Sequence, residues 1–330
     1  MGQLRQWLQG GNMAQIDGSL SLVVAALLAA IIGFVNQYGG TCTVAAVSDA
    51  VKRKPGRLIA LAEAGLWAFA IGLVLKLAGW TLPPIADVPV TAYTIAGGVL
   101  LGLGAWLNKA CLFGTLTQLG RRNPNYLFTL MGLYAGFLAH AGLFAVPLPT
   151  RPCQPGSGVM FIAALLFVAS LLSHAWRFVG TNRHRARPVM QFGNREALVI
   201  HAMAFTLMAS IAGAWTYGEL MSRYVHGAGR PDWMHFLLAV SLLIGALLGG
   251  ARTAQSETIK PGKAMLCFVG GVMMAAGSAL VPGGNDLLIL YGAPLLQWHA
   301  IAAIAVMLVT MAICILSESV NDASLTAPSP

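Results

Sequence analysis

Charge is what this sequence has least of. Asp, Glu, Lys and Arg make up 9% of its 330 residues, against about 25% in ordinary soluble domains. Hydrophobic residues make up 57%, and the mean hydropathy is +0.72. A chain of that composition is solvated mainly by lipid. Sustained strand-length alternation is also missing, which excludes a transmembrane β-barrel. No Cys-x-x-Cys or Cys/His cluster and no HxxxH pair occurs, so no metal, haem or disulfide framework is expected, and no cofactor. Without a Walker A pattern, ATP-driven transport within this polypeptide is excluded. "MGQLRQWLQGGNMAQIDG" carries no hydrophobic run, so no cleaved signal peptide is expected. The net charge of +9 would suggest nucleic acid in a soluble protein. Here the basic residues fall in short loops, and no nucleic-acid partner is expected.

Long apolar runs such as "SLSLVVAALLAAIIGF" and "DWMHFLLAVSLLIGALLGG" are what is present. They predict nine membrane helices, at residues 19–35, 58–78, 93–108, 126–146, 159–179, 196–215, 233–250, 264–280 and 297–316. Fifteen Lys and Arg residues follow helices one, three, five and seven, and five lie on the other side. The richer side belongs in the cytoplasm. That puts the amino terminus outside and the carboxyl terminus inside the cell's inner (plasma) membrane.

"GGVLLGLGAWL" (Gly97 to Leu107) matches "GGVMMAAGSAL" (Gly270 to Leu280) without a gap, and Thr41 pairs with Thr216 in a looser match at nearly the same offset. Each half then holds four helices with one between them, and an odd helix in the middle inverts the second half. The expected fold is an all-α polytopic membrane protein of about nine transmembrane helices in two inverted repeats, with re-entrant half-helices entering from both faces. Residues 1–18 form an extracytoplasmic segment and 19–148 the first repeat, with re-entrant stretches near 36–50 and 108–120. Residues 149–195 hold the linking helix and a basic cytoplasmic loop. The second repeat is 196–316, with re-entrant stretches near 216–227 and 281–295, and 317–330 is a cytoplasmic tail.

The interruptions carry the chemistry. Irregular backbone at membrane depth survives only when packed in protein or lining an aqueous path. Half-helices ending near the midplane aim free N–H groups inward, where an anion binds. Gly39 and Gly40 allow close approach, and Thr41 and Thr43 supply hydroxyls. Asn108, Gly114 and Thr115 do the same in the second stretch, and Gly283, Gly284 and Asn285 stand in the last. Ordinary surface loops with turn glycines are the alternative reading. Cys42 and Cys111 each start such a stretch, which is compatible with a site or with a small buried hydrophobe. Cys267 and Cys314 read as apolar filler, and Cys153 as a loop thiol. Lys109 either attracts an anion beside Cys111 or snorkels to the interface. Glu63 is a functional intramembrane carboxylate or the partner of Arg57 or a neighbouring base.

"GGTCTVAAV" and "LNKACLFGTLTQLG" resemble the motifs of the YeeE/YedE family of membrane proteins, assigned to sulfur transport. The resemblance implies thiosulfate uptake through an hourglass-shaped protein. Cys42 would be its central relay thiol and Cys111 its cytoplasmic one. It implies a small inorganic sulfur anion and membrane lipid as partners, and a cytosolic sulfur-carrier protein docking on the basic loop. It also implies a third, outer thiol, where this chain has Gly284 in "VPGGND". Sulfite, sulfate or a selenium oxyanion therefore stay open as substrates. A thiol/disulfide exchange enzyme within the membrane is the alternative from another class, and a subunit without its own pathway is a third.

Overall fold

Size, more than polarity, sorts the apolar residues of this protein. Ala25, Ala29, Ala64, Ala105, Ala197, Ala202, Ala209 and Ala246 are buried, while Leu77, Leu172, Trp176 and Leu248 stand out on the surface. Burial of apolar area cannot drive association in lipid, so interiors are selected for side chains that let backbones approach. The structure, a computed structural model, describes residues 18–80, 88–143, 157–182, 193–225, 233–254 and 257–326. Cys153, the start of the chain and Arg183, Arg185 and Arg187 of the basic loop lie outside the described residues.

All regular elements among the described residues are helical. The first half contains α1 (Gly18–Gly39), α2 (Thr43–Val51), α3 (Gly56–Leu77), α4 (Ala92–Asn108), α5 (Leu112–Gly120) and α6 (Leu127–Leu143). Next come α7 (Ser157–Asn182), α8 (Asn194–Ala212), α9 (Tyr217–Val225), α10 (Trp233–Gly250) and α11 (Pro261–Leu280). An α-turn at Asn285–Leu287 runs into a π-turn at Leu288–Gly292, and α12 (Trp298–Thr326) closes the chain. Among the described residues, seven helical stretches are long and apolar enough to cross a membrane, against nine expected. The other two expected spans fall on α6, which has 17 residues, and on α7, whose apolar part is Ala164–Trp176. Helix α12 continues to Thr326, past the expected start of the tail at 317.

Each break has a local cause. Helix α1 stops at Gly39, Gly40 takes a left-handed turn (φ 54), and Cys42 is extended before α2 restarts the helix. Helix α4 stops at Asn108, Lys109 is left-handed (φ 55), and extended Cys111 leads into α5. Gly213 (φ 85) ends α8. Pro282, which lacks an N–H, and Gly283 follow α11.

Helix α4 crosses α11 through glycines. A Cβ on Gly97, Gly104, Gly270 or Gly277 would lie 2.7–2.9 Å from the facing glycine's carbonyl oxygen, in the pairs 97–277 and 104–270. Other contacts also come in matched sets. Helix α1 packs on α10 as α8 packs on α3, α4 on α12 as α11 on α6, and α2 on α12 as α9 on α6.

A buried ion cluster joins three helices. Glu63 on α3 accepts hydrogen bonds from Arg195 Nε and from Arg195 Nη2 (2.8 Å) on α8. It also meets the Ser170 hydroxyl and His174 Nε2 (3.0 Å) on α7. Arg57, the partner expected from the sequence, pairs instead with Asp49 at 3.2 Å.

Candidate functional site

Cys42 and Cys111 are the residues immediately before α2 and α5, so each thiol sits where a helix exposes its first N–H groups. The structure brings both into one place. Their side chains are neighbours, Cys42 lying against Gly114 in the first turn that Cys111 opens. The Thr43 main-chain N–H donates to Cys111 Sγ at 3.3 Å, and Cys111 is fully buried. Gly114 makes room for this, since a Cβ there would lie 2.6 Å from Cys42 Sγ.

Two further segments arrive from the second half of the chain. Asn285 Oδ1 accepts from the Leu112 N–H (3.4 Å), and Asn285 Nδ2 donates to Thr43 Oγ1 (3.4 Å). Tyr217, first residue of α9, donates its hydroxyl to the Leu112 carbonyl at 2.6 Å. Four interruptions far apart in sequence therefore meet around Cys111 and Leu112. Two helix amino ends and a girdle of hydroxyl, amide and thiol groups favour an anion of modest size.

Several residues expected at the site turn out to support it. Asn108 Nδ2 donates to the Ala110 carbonyl (2.7 Å) and to Thr115 Oγ1 (3.0 Å), and Thr129 Oγ1 donates to Asn108 Oδ1 (2.7 Å). That network fixes the α4–α5 turn. The Thr41 hydroxyl donates to Asn36 Oδ1, and Asn36 Nδ2 donates to the Phe113 carbonyl (3.0 Å) and Thr117 Oγ1 (3.0 Å). Gly39 touches Ala197 and Leu198 of α8, and Gly40 lies beside the Arg57 and Asn194 side chains. Gly283 is left-handed (φ 143), and Gly284 stands immediately before the Asn285–Leu287 turn.

Lys109 is not brought into the cluster. Its ammonium pairs with Glu318 at 2.6 Å on the exposed side of the helices and lies over the Trp106 ring. Sequence reasoning missed Tyr217, Asp286 and the neighbourhood of Cys267. Cys42 packs against a small cluster of Ala110, Tyr126 and Cys267, so Cys267 is nearer the site than its apolar helix suggested. Asp286 carried a readable signal, an acid inside "DLLILYG" in a chain with eleven acidic residues.

A family model described as sulphur transport matches residues 38–221, more than half of the chain. The match runs from the end of α1 into α9, taking in Cys42, Cys111 and Tyr217, and stops short of Asn285. Among curated proteins, none matches.

Proposed function

The chain belongs to the sulphur-transport family of the YeeE/YedE type, and from that premise we propose that it carries a small sulfur-containing anion, thiosulfate first, into the cytoplasm. The observation that carries this reading is the meeting of the Cys42 and Cys111 thiols with the amino ends of α2 and α5 and the Asn285 amide. An oxyanion of sulfur needs its charge balanced by N–H and O–H donors once its water is gone. A polarisable S–H suits the terminal sulfur of thiosulfate. Cys42, Cys111, Thr43, Thr115, Gly114 and Asn285 line the path, with Gly39, Gly40, Thr41 and Asn108 holding its walls and Gly283 and Gly284 at its outer mouth. Lys109 stands at the cytoplasmic rim.

The architecture of this reading is two inverted repeats, 19–148 and 196–316, joined by residues 149–195. The glycine pairs 97–277 and 104–270 and the matched helix contacts support it, because a two-fold relation exchanges the members of each set. The short helices α2, α5 and α9 and the 285–292 turns are its re-entrant pieces. The amino terminus is outside, the carboxyl terminus is inside the plasma membrane, and a cytosolic sulfur carrier receives the product. Neighbouring thiols also suit a second reading, intramembrane disulfide exchange.

The test is uptake of radiolabelled thiosulfate by cells lacking their own sulfate and thiosulfate importers, comparing the protein with Cys42→Ala and Cys111→Ala at equal membrane abundance. The expected result is uptake that each substitution lowers by about tenfold or more, which corresponds to about 1.4 kcal/mol or more of lost stabilisation. Absence of uptake by the unsubstituted, properly inserted protein overturns thiosulfate. Uptake indifferent to both substitutions removes the thiols from the path. Thiol exchange on a carrier protein without uptake favours the second reading.

A further inference from the structure

Asp286 is an acid at the meeting point of the four interrupted segments, and it is fully buried. Its Oδ1 accepts from the Leu287 N–H at 2.9 Å, while Oδ2 has no hydrogen-bond partner among the described residues. Nor does any Lys, Arg or His nitrogen among the described residues come within ion-pairing distance of it. Gly284 gives this carboxyl its room, since a Cβ there would lie 2.5 Å from Asp286 Oδ1 and 2.6 Å from Leu112 Cδ1. The acid thus stands two residues from the small mouth glycine, which Leu112, the residue that follows Cys111, also borders.

We propose that Asp286 binds the anion as its neutral acid, so that each anion crosses together with a proton. This rests on the transport reading above and adds the coupling ion to it. An ionised carboxylate without a counter-charge in low dielectric is costly, and beside an anion it is more costly still. With a proton on Oδ2 the same group becomes a hydrogen-bond donor to an anion oxygen. The step moves one proton from outer solvent to the carboxylate and later to inner solvent. No other bond is made or broken, and no oxidant is needed.

The surroundings favour a proton over a metal cation. The polar groups near the carboxyl are the Thr216 hydroxyl, the Cys111 thiol and the Tyr217 phenol, one sulfur and two neutral hydroxyls where a hard cation takes about six or more oxygens. Of the other titratable groups in and around the 285–292 turns, Glu63 and His299 are committed, Tyr291 is buried in the turns themselves, and both ring nitrogens of His201 have no hydrogen-bond partner among the described residues. Glu63 on α3 is held by Arg195, Ser170 and His174. His299 Nδ1 on α12 accepts from the Val88 N–H at 3.3 Å. His201 on α8 meets the Phe113 ring edge-on, with centroids 4.8 Å apart.

Purified protein in liposomes with a trapped pH dye and a clamped membrane potential provides the test. Labelled thiosulfate, sulfate and sulfite serve as the probes, with either a proton or a sodium gradient imposed. The expected result is internal acidification when thiosulfate or sulfate is added, and initial uptake that rises as external pH falls, approaching about tenfold per pH unit where the acid is ionised. Asp286→Asn, which keeps a donor but holds no exchangeable charge, is expected to pass the anion downhill without acidification and without accumulation by the proton gradient. Uptake by the unsubstituted protein with no acidification overturns the proposal whatever the variant does. So does Asp286→Asn retaining proton-driven accumulation, or a sodium gradient replacing the proton gradient. Uptake of none of the three probes overturns the transport reading, and the coupling with it.

Discussion

The main-chain N–H of Thr43 points at the sulfur of Cys111, 3.3 Å away and 68 residues on. One broken stretch thereby caps the other. The first turn of α2 and the thiol ahead of α5 form a single unit, and a residue that disturbs either thiol disturbs both.

Gly114 is the most direct handle on that unit. In Gly114→Ala the new methyl would sit 2.6 Å from Cys42 Sγ and 3.0 Å from Ala110 Cβ. Overpacking of this kind costs about 1–3 kcal/mol. The expected outcome is an inserted protein with a lower Tm in detergent and anion uptake reduced by about tenfold or more. Normal uptake would show that the Cys42 thiol does not need its present position.

Substitution at the α4–α11 crossing is expected to act on the fold and not on a single side chain. Gly104→Ala places a methyl 2.7 Å from the Gly270 carbonyl oxygen and 2.8 Å from the Met274 nitrogen, both main-chain atoms with little freedom to yield. A loss of about 1–3 kcal/mol or more is expected, and Gly270→Ala should match it because its contact is the reverse of the same pair. Thermal unfolding of the two variants checks this, and a clear inequality between them would contradict the matched geometry.

Glu63 anchors α7. Glu63→Gln leaves the Arg195 guanidinium without its bidentate partner in a half-buried setting. Breaking such a pair from one side costs about 3 kcal/mol or more. Detergent stability should fall sharply, and proteolysis of α7 should begin below the global transition. Arg57→Gln, by contrast, removes only a partly exposed pair with Asp49, worth about 0–1 kcal/mol, and should leave both measurements nearly unchanged.

Lys109 separates charge at the rim from charge at the site. The Lys109–Glu318 pair is about half exposed on both sides, so its loss should cost under about 1 kcal/mol. If Lys109 acts only through attraction at the rim, Lys109→Met lowers uptake at low ionic strength, and added salt erases the difference. A deficit that persists in high salt would place the ammonium in contact with the anion.

Acid should loosen one loop before the helices. The Lys263 ammonium, 2.9 Å from Glu257, holds the Glu257 carboxyl below its usual range, helped by Lys260 and by Asn123 Nδ2 at 3.0 Å. A carboxyl lowered in the folded state adds stability that is present above its unfolded pKa, about 4.3. That contribution disappears as pH falls through the lower folded value. The Tm difference between the protein and Glu257→Gln should therefore close over that acidic window; a constant difference contradicts the assignment.

The breaks themselves were legible in the sequence. Glycine at 39 and 40, Asn108 with its polar successors, and Pro282 with Gly283 all interrupt apolar runs that would otherwise continue as helix. What each break touches was not. Leu112 finds Asn285 across 173 residues and Tyr217 across 105, and no local pattern marks such pairings. Glu63 shows the same limit. Its nearest base in sequence is Arg57, yet helix packing brings Arg195 to it and turns Arg57 toward Asp49. Lys109 differs for a related reason, because one left-handed residue at the end of α4 points its side chain away from the thiol two positions on.

Leu112 has both of its main-chain polar groups held by the other half of the chain, its N–H by Asn285 and its carbonyl by Tyr217. The peptide next to Cys111 thus works as a latch between the halves. Any motion that parts them there has to release two hydrogen bonds together, each worth about 0.5–1.5 kcal/mol. A latch of that strength keeps the parted form a minority of roughly one part in five to one part in a hundred and fifty by itself. Openings of that kind would be a minority population, reported by a single peptide beside the thiol.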